Sequence, residues 1–152
     1  MSQSISETWG LISPASAADI SERHPLVANL LSRYAWAYDF SDATLLATCF
    51  TRDCEVSFQG DLKVGRDAVI VELMRRRSAY PDEQTPWHVV SNILIRAADR
   101  ESTVVASWFS FGVMACDKPP VLNSFGWYDD FFIVEDGEWR VHRRRVLKPW
   151  DR

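Results

Sequence analysis

Pro86-Trp87-His88-Val89-Val90-Ser91-Asn92-Ile93-Leu94-Ile95 is the stretch on which the fold turns. It is rich in β-branched and aromatic residues, and the turn residues Asp99-Arg100-Glu101 follow it closely. Runs of the same character complete the chain, so 87–98, 102–116, 121–135 and 138–147 read as four long antiparallel strands. Asp136-Gly137 is a hairpin turn, since both central residues of the favoured two-residue turn need positive φ. Lys118-Pro119-Pro120 joins the middle pair. Alternation along the opening strand puts His88, Val90, Asn92 and Leu94 on one face.

Upstream the hydrophobic period becomes helical. Val27, Leu31 and Ala35 recur at helical spacing, with Leu30, Tyr34 and Tyr38 beside them. A helix over 24–40 is predicted, capped by Asp19 or Ser21, with Pro25 in its first turn. Asp39 extends the apolar row, at a helix C-terminus where the dipole disfavours negative charge. Either this broken rule marks function, or Asp39 turns outward as the helix frays into Ser41 and Asp42. Asp42 caps a second helix over 43–50. Glu55-Val56-Ser57-Phe58 is a short strand ended by Gln59-Gly60-Asp61, and Gly65-Arg66-Asp67 leads into a third helix reaching Ser78. Residues 1–18 read as a loose Ser/Ala-rich arm, 19–148 as one domain and 149–152 as a tail. Helices first and a meander after is an α+β layout. A curved antiparallel sheet wrapped around three N-terminal helices makes a cone with an open mouth, which encloses a pocket.

A chain of 152 residues with 47% apolar and 25% charged residues suits one globular domain. Seven Trp, eight Phe and four Tyr serve the core or the walls of a small-molecule pocket. The net charge of −4 argues against nucleic acid as a partner, because phosphate binding needs a basic surface. Cys49, Cys54 and Cys116 lack paired spacing and read as reduced thiols of a cytoplasmic protein. No signal peptide and no membrane span are expected. His24, His88 and His142 share no metal-ligand spacing, and there is no GxSxG, phosphate loop or dinucleotide fingerprint. No metal and no cofactor are therefore expected.

Arg33-Tyr34-Ala35-Trp36-Ala37-Tyr38-Asp39, Gly65-Arg66-Asp67-Ala68-Val69, His88-Val89-Val90-Ser91-Asn92 and Asp136-Gly137-Glu138-Trp139-Arg140-Val141 follow the order seen in SnoaL-like proteins. The chain resembles this part of the nuclear-transport-factor-2-like superfamily over residues 20–148. The resemblance implies the cone-shaped α+β barrel. Its activities include dehydration, dehydrochlorination, isomerisation, polyketide cyclisation, C–C cleavage and non-catalytic subunits, so it points less narrowly to a reaction. Within the superfamily the chain resembles scytalone dehydratase, bile-acid dehydratase and hexachlorocyclohexane dehydrochlorinase, which pair an acid ending the first helix with a histidine opening the long sheet. Asp39 and His88 match those positions, and Tyr38 matches a tyrosine of scytalone dehydratase. A second catalytic histidine of that enzyme falls near Val113 or Met114, where this chain has none, and its later Ser and Asn correspond to Gly126 and Tyr128.

The expected chemistry follows. His88 is the general base, its unperturbed pKa being roughly 6.5. Asp39 orients it, and Tyr38 or Tyr128 donates to a developing oxyanion. Tyr34, Asn92, Trp108, Tyr128 and Arg145 are expected to contact substrate. Among Arg143, Arg144 and Arg145, alternation sends Arg144 opposite to its neighbours, and one of the three enters the pocket. Trp87, Phe111, Phe125 and Trp127 either line the pocket or pack elsewhere. The expected activity is cofactor-independent elimination, isomerisation or cyclisation on a small apolar, aromatic or polycyclic molecule, in a homodimer or homotrimer. The alternatives are a non-catalytic small subunit of a ring-hydroxylating oxygenase and a ligand-binding module.

Overall fold

The computed structural model describes residues 16–81, 83–98 and 100–149. Helix α1 (Ala17–Asp39) begins earlier than the periodicity predicts, because Ser16 is the cap: its hydroxyl accepts the Asp19 N–H at 3.1 Å. Pro25 consequently lies inside the helix and not in its first turn. The carbonyl it fails to serve belongs to Ser21, which is exposed and can turn to water. Most of the arm predicted over 1–18 lies outside the described residues. The buried stripe of α1 runs from Val27 through Leu30, Leu31, Tyr34, Ala35 and Tyr38 to Asp39.

Asp42 caps α2 (Ala43–Ala47) by accepting the Leu45 N–H at 2.8 Å, as its sequence position predicts. That helix stops short of 50, because the chain from Phe50 pairs with the C-terminal strand. Strand β1 (Phe50–Phe58) turns through Gln59 (φ 55°) and Gly60 (φ 92°) into β2 (Asp61–Val64), a strand the sequence pattern did not reveal. Helix α3 (Arg66–Arg77) buries Val69 and Leu73. The long strands are β3 (Gln84–Ala98), β4 (Ser102–Ala115), β5 (Lys118–Glu135) and β6 (Glu138–Leu147). Lys118-Pro119-Pro120, expected as a connection, begins β5. Asp136 (φ 55°) and Gly137 (φ 78°) make the predicted hairpin turn between β5 and β6.

The six strands form one sheet in the order β2-β1-β6-β5-β4-β3. Every neighbouring pair is antiparallel except β1 with β6, which is parallel. β2 and β3 are the edges, so the sheet curls around the helices without closing. This is the expected α+β architecture, with three helices among the described residues packed on the sheet. The core joins Leu30, Leu31 and Tyr34 of α1 to Leu46, Phe50, Val56, Leu73, Val105, Phe132 and Val141. Each such side chain contributes roughly 1.5–3 kcal/mol by leaving water.

The register of β3 against β4 shifts twice, between Ser91 and Leu94 and again between Ile95 and Ala97. At the first shift Asn92 takes a left-handed φ of 51°. The bulge turns Asn92 out to solvent, away from the face of His88. Among the described residues, no helix is long and apolar enough to cross a membrane.

Candidate functional site

The last turn of α1 and the first residues of β3 meet across 49 positions of sequence. There the Asp39 Oδ1 lies 2.6 Å from Nδ1 of His88, and Asp39 Oδ2 accepts the His88 main-chain N–H at 2.8 Å. Both carboxylate oxygens are thus engaged, which offsets the unfavourable position at a helix C-terminus. Arg77 adds a hydrogen bond from its Nε to the Asp39 carbonyl at 3.2 Å. The Asp39 and His88 side chains are only 11% and 7% exposed, so Asp39 does not turn outward. An ionised Asp39 accepts and cannot donate, so the proton between the two sits on Nδ1. In the neutral ring Nε2 then carries the lone pair.

Aromatic rings hold the imidazole. Tyr38 meets it edge-on with centroids 5.0 Å apart, and Phe111, its cross-strand partner on β4, lies at 4.7 Å. Tyr34 lies at 6.1 Å. His88 opens onto a cavity of about 310 Å³ whose inner wall is Tyr34, Tyr38, Phe109, Phe111 and Tyr128. Ser124 and Tyr80 also line it, and Gln59, Arg75, Arg76 and Lys148 are further members of the lining. Asp39 borders a second hollow behind His88, beside Trp36, Phe40 and Trp87. The carboxylate therefore lies behind the ring.

Burial pushes the phenols of Tyr38, Tyr34 and Tyr128 above the usual tyrosine range. They stay protonated at any working pH, so they serve as hydrogen-bond donors and not as bases. Tyr128 stacks on Phe109 with centroids 4.5 Å apart. Behind Tyr34 and Tyr128 sits Arg144, its guanidinium carbon 4.4 Å and 4.0 Å from the two ring centroids. Arg144 binds both oxygens of Asp130 at 2.8 Å, and both side chains are essentially inaccessible to water. Burial opposes the Arg144 charge, but Asp130 more than offsets it and holds the guanidinium above its ordinary pKa. Burial raises the Asp130 carboxyl while Arg144 draws it down. The Arg144 Nη1 atom is buried without a hydrogen-bond partner.

Of the residues singled out in the sequence, Asp39, His88, Tyr38, Tyr34 and Tyr128 come together here. Three do not. Asn92 leaves the inner face at the bulge. Trp108 is 44% exposed and packs against Trp127 on the outer face, since alternate residues Phe109 and Phe111 take the inner one. Arg145 also faces outward, paired with Asp129 at 40% side-chain exposure; Arg144 is the inward member of the arginine run. Of the other aromatics considered, Phe111 lines the cavity, while Trp87, Phe125 and Trp127 do not. Arg145 was expected in the pocket and Arg144 takes the inward place; the signal that could have found it is alternation together with Tyr128 and Asp130, which share a face of β5.

The pattern of the SnoaL-like domain matches residues 21–145. No curated protein matches the sequence. Similar solved structures include a provisionally named scytalone dehydratase from Novosphingobium aromaticivorans: 23% identity, TM-score 0.72, covering 86% of this chain and 87% of that one. ActVI-ORFA from Streptomyces coelicolor is 17% identical, with TM-score 0.78 over 86% and 97% of the two chains. The β subunit of a provisionally named aromatic-ring-hydroxylating dioxygenase from Novosphingobium aromaticivorans is 14% identical, with TM-score 0.67 over 87% and 91%. At these identities the likeness is one of fold.

Proposed function

This chain belongs to the SnoaL-like family, and we propose that within it the protein is a cofactor-independent enzyme performing proton transfer through Asp39 and His88. The observation that carries the proposal is the 2.6 Å contact between Asp39 and Nδ1 of an imidazole that opens onto an aromatic cavity. His88 takes a proton from a substrate carbon or hydroxyl at Nε2. Asp39 holds the ring in the required tautomer and stabilises the imidazolium. Tyr38, or Tyr34 with Tyr128, donates to the oxygen on which negative charge develops. The Nε2 proton then goes to a leaving group, giving elimination or C–C cleavage, or to a second carbon, giving isomerisation or cyclisation. The substrate is small and largely apolar, aromatic or polycyclic, in keeping with the ring-lined wall. The second histidine of scytalone dehydratase is expected near Val113 or Met114, where this chain has none, and that supports a one-histidine mechanism.

The exposed Val89, Leu94, Trp108 and Phe125 on the outer sheet face support a homodimer or homotrimer as the working form. The test of mechanism is turnover, or exchange of a substrate carbon-bound proton in deuterated water, by purified protein. His88→Ala is expected to slow either by roughly 10²–10⁴-fold, the usual contribution of a general base. Asp39→Asn is expected to fall in the same range. Unchanged rates in both variants refute the proposal. A second reading, a non-catalytic small subunit, is favoured by the fold shared with the dioxygenase β subunit. Retention of an iron–sulfur partner on purification from the native host would decide for it.

A further inference from the structure

The C-terminus of α1 is a poor place for a carboxylate, and the helix carries no basic residue of its own in that last turn. Its last four carbonyls also need donors from beyond residue 39. Three are met by main-chain N–H groups: Trp36 by Phe40 at 3.0 Å, Ala37 by Asp42 at 2.8 Å and Tyr38 by Ser41 at 3.1 Å. The fourth, that of Asp39, is met by a side chain from another element, through Nε of Arg77 at 3.2 Å.

Arg75, Arg76 and Arg77 fill the last turn of α3, where cations suit that helix's own dipole. The first two turn back to the Glu72 carboxylate, each with a bond of 2.7 Å. Each residue along a helix is rotated by about 100° from the one before, so Arg77 points elsewhere. It reaches the end of α1, 38 positions back in sequence. A chain of contacts results. Arg77 holds the Asp39 carbonyl, and Asp39 holds His88 through Oδ1 to Nδ1 at 2.6 Å and through Oδ2 to the main-chain N–H at 2.8 Å. A carbonyl fixed at the helix end fixes its planar peptide, and with it the backbone from which the Asp39 side chain leaves. The guanidinium also supplies, from α3, the cation that the last turn of α1 lacks. Its field reaches Tyr38: burial, with Tyr34 and Tyr80, raises that phenol, while Arg76 and Arg77 draw it down.

We infer that Arg77 is a positioning residue of the Asp39–His88 pair, pinning the last turn of α1 so that the carboxylate stays turned toward the imidazole. Without it the turn frays and Asp39 swings toward water. Arg77 aims the pair and exchanges no proton. This role rests on the reading of Asp39 and His88 as the proton-transfer pair.

The test follows the Nδ1 ring proton of His88 by NMR on the full chain, assigned by its loss in His88→Ala. A proton held in a short bond to a carboxylate resonates far downfield. Arg77→Met should move that signal upfield or broaden it away, and Arg77→Lys, which keeps a cationic donor, should restore it. Val69→Ala loosens the buried face of α3, and should lower the urea midpoint while leaving the signal in place. In turnover, Arg77→Met should lower kcat by roughly 10-fold with KM held, short of the roughly 100-fold that a misplacement of about 1 Å can cost. An unchanged signal in folded Arg77→Met, a lysine variant no better than methionine, an equal shift in Val69→Ala, or a turnover change carried by KM alone overturns the inference. A failed proton-transfer reading shows separately, as turnover that survives His88→Ala while the signal still depends on Arg77.

Discussion

Asp129 and Asp130 are neighbours on β5, in register with Arg145 and Arg144 of β6, yet they face opposite sides of the sheet. On the inner side, Asp130 and Arg144 share two hydrogen bonds of 2.8 Å at 0% and 1% side-chain exposure. On the outer side, Asp129 takes Arg145, which is 40% exposed, and Arg96 at 3.5 Å. The chemical pair is the same and the solvent is different. Water competes for the outer pair and weakens it. The inner pair has lost its water, so each member depends wholly on the other. Its place behind Tyr34 and Tyr128 ties the dependence to the cavity wall.

The largest effect should come from breaking the inner pair. Arg144→Met leaves Asp130 buried and uncompensated and should cost about 3–5 kcal/mol in urea unfolding. Arg144→Met/Asp130→Leu should recover much of that loss. If the single variant loses no more than Arg145→Gln does, the contrast between the faces is wrong.

Volume tests the outer face in another way. A Cβ added at Gly112 would lie 2.3 Å from the Trp87 ring, so Gly112→Ala should cost about 1–3 kcal/mol by the same measurement. The outer face would then tolerate loss of charge far better than gain of bulk. Arg145→Gln should cost no more than about 1 kcal/mol, and less at high salt.

Glu72 sharpens the comparison at its small end. Arg75 and then Arg76 hold its carboxyl down at about 2, below the ordinary 4.5. A depressed carboxyl stabilises the fold above its unfolded pKa, and that contribution is lost as the pH falls from about 4.5 through about 2. Arg75 is largely exposed, so solvent keeps the effect small. Urea midpoints measured across that window should fall less steeply in Glu72→Gln than in the parent chain.

Much of the fold was legible because its signals are local. The Asp42 cap, the Asp136-Gly137 turn and the four long strands each depend on residues within a few positions of one another. The early start of α1 was missed because a weak polar segment can extend a helix once Ser16 caps it. β2 was missed because four half-exposed residues carry no period. In the site, Asp39 stood out as a carboxylate on an apolar stripe, and His88 was identified through family resemblance, since its strand context alone is ordinary. Asn92 was assigned to the wrong face because alternation assumes an unbroken strand, and a bulge breaks the alternation where it inserts.

The sequence by itself determined the kinds of element, their order and which residues alternate. Those follow from backbone sterics and hydrophobic period, which act over a few residues. It also set Arg144 apart from Arg143 and Arg145. Tertiary structure decided the partners: Asp39 with His88 across 49 residues, and Asp130 with Arg144 behind two phenols. Periodicity says which way a side chain points along its own element. Which element stands opposite depends on how the sheet curls and how α1 packs into it, and that is a property of the whole core.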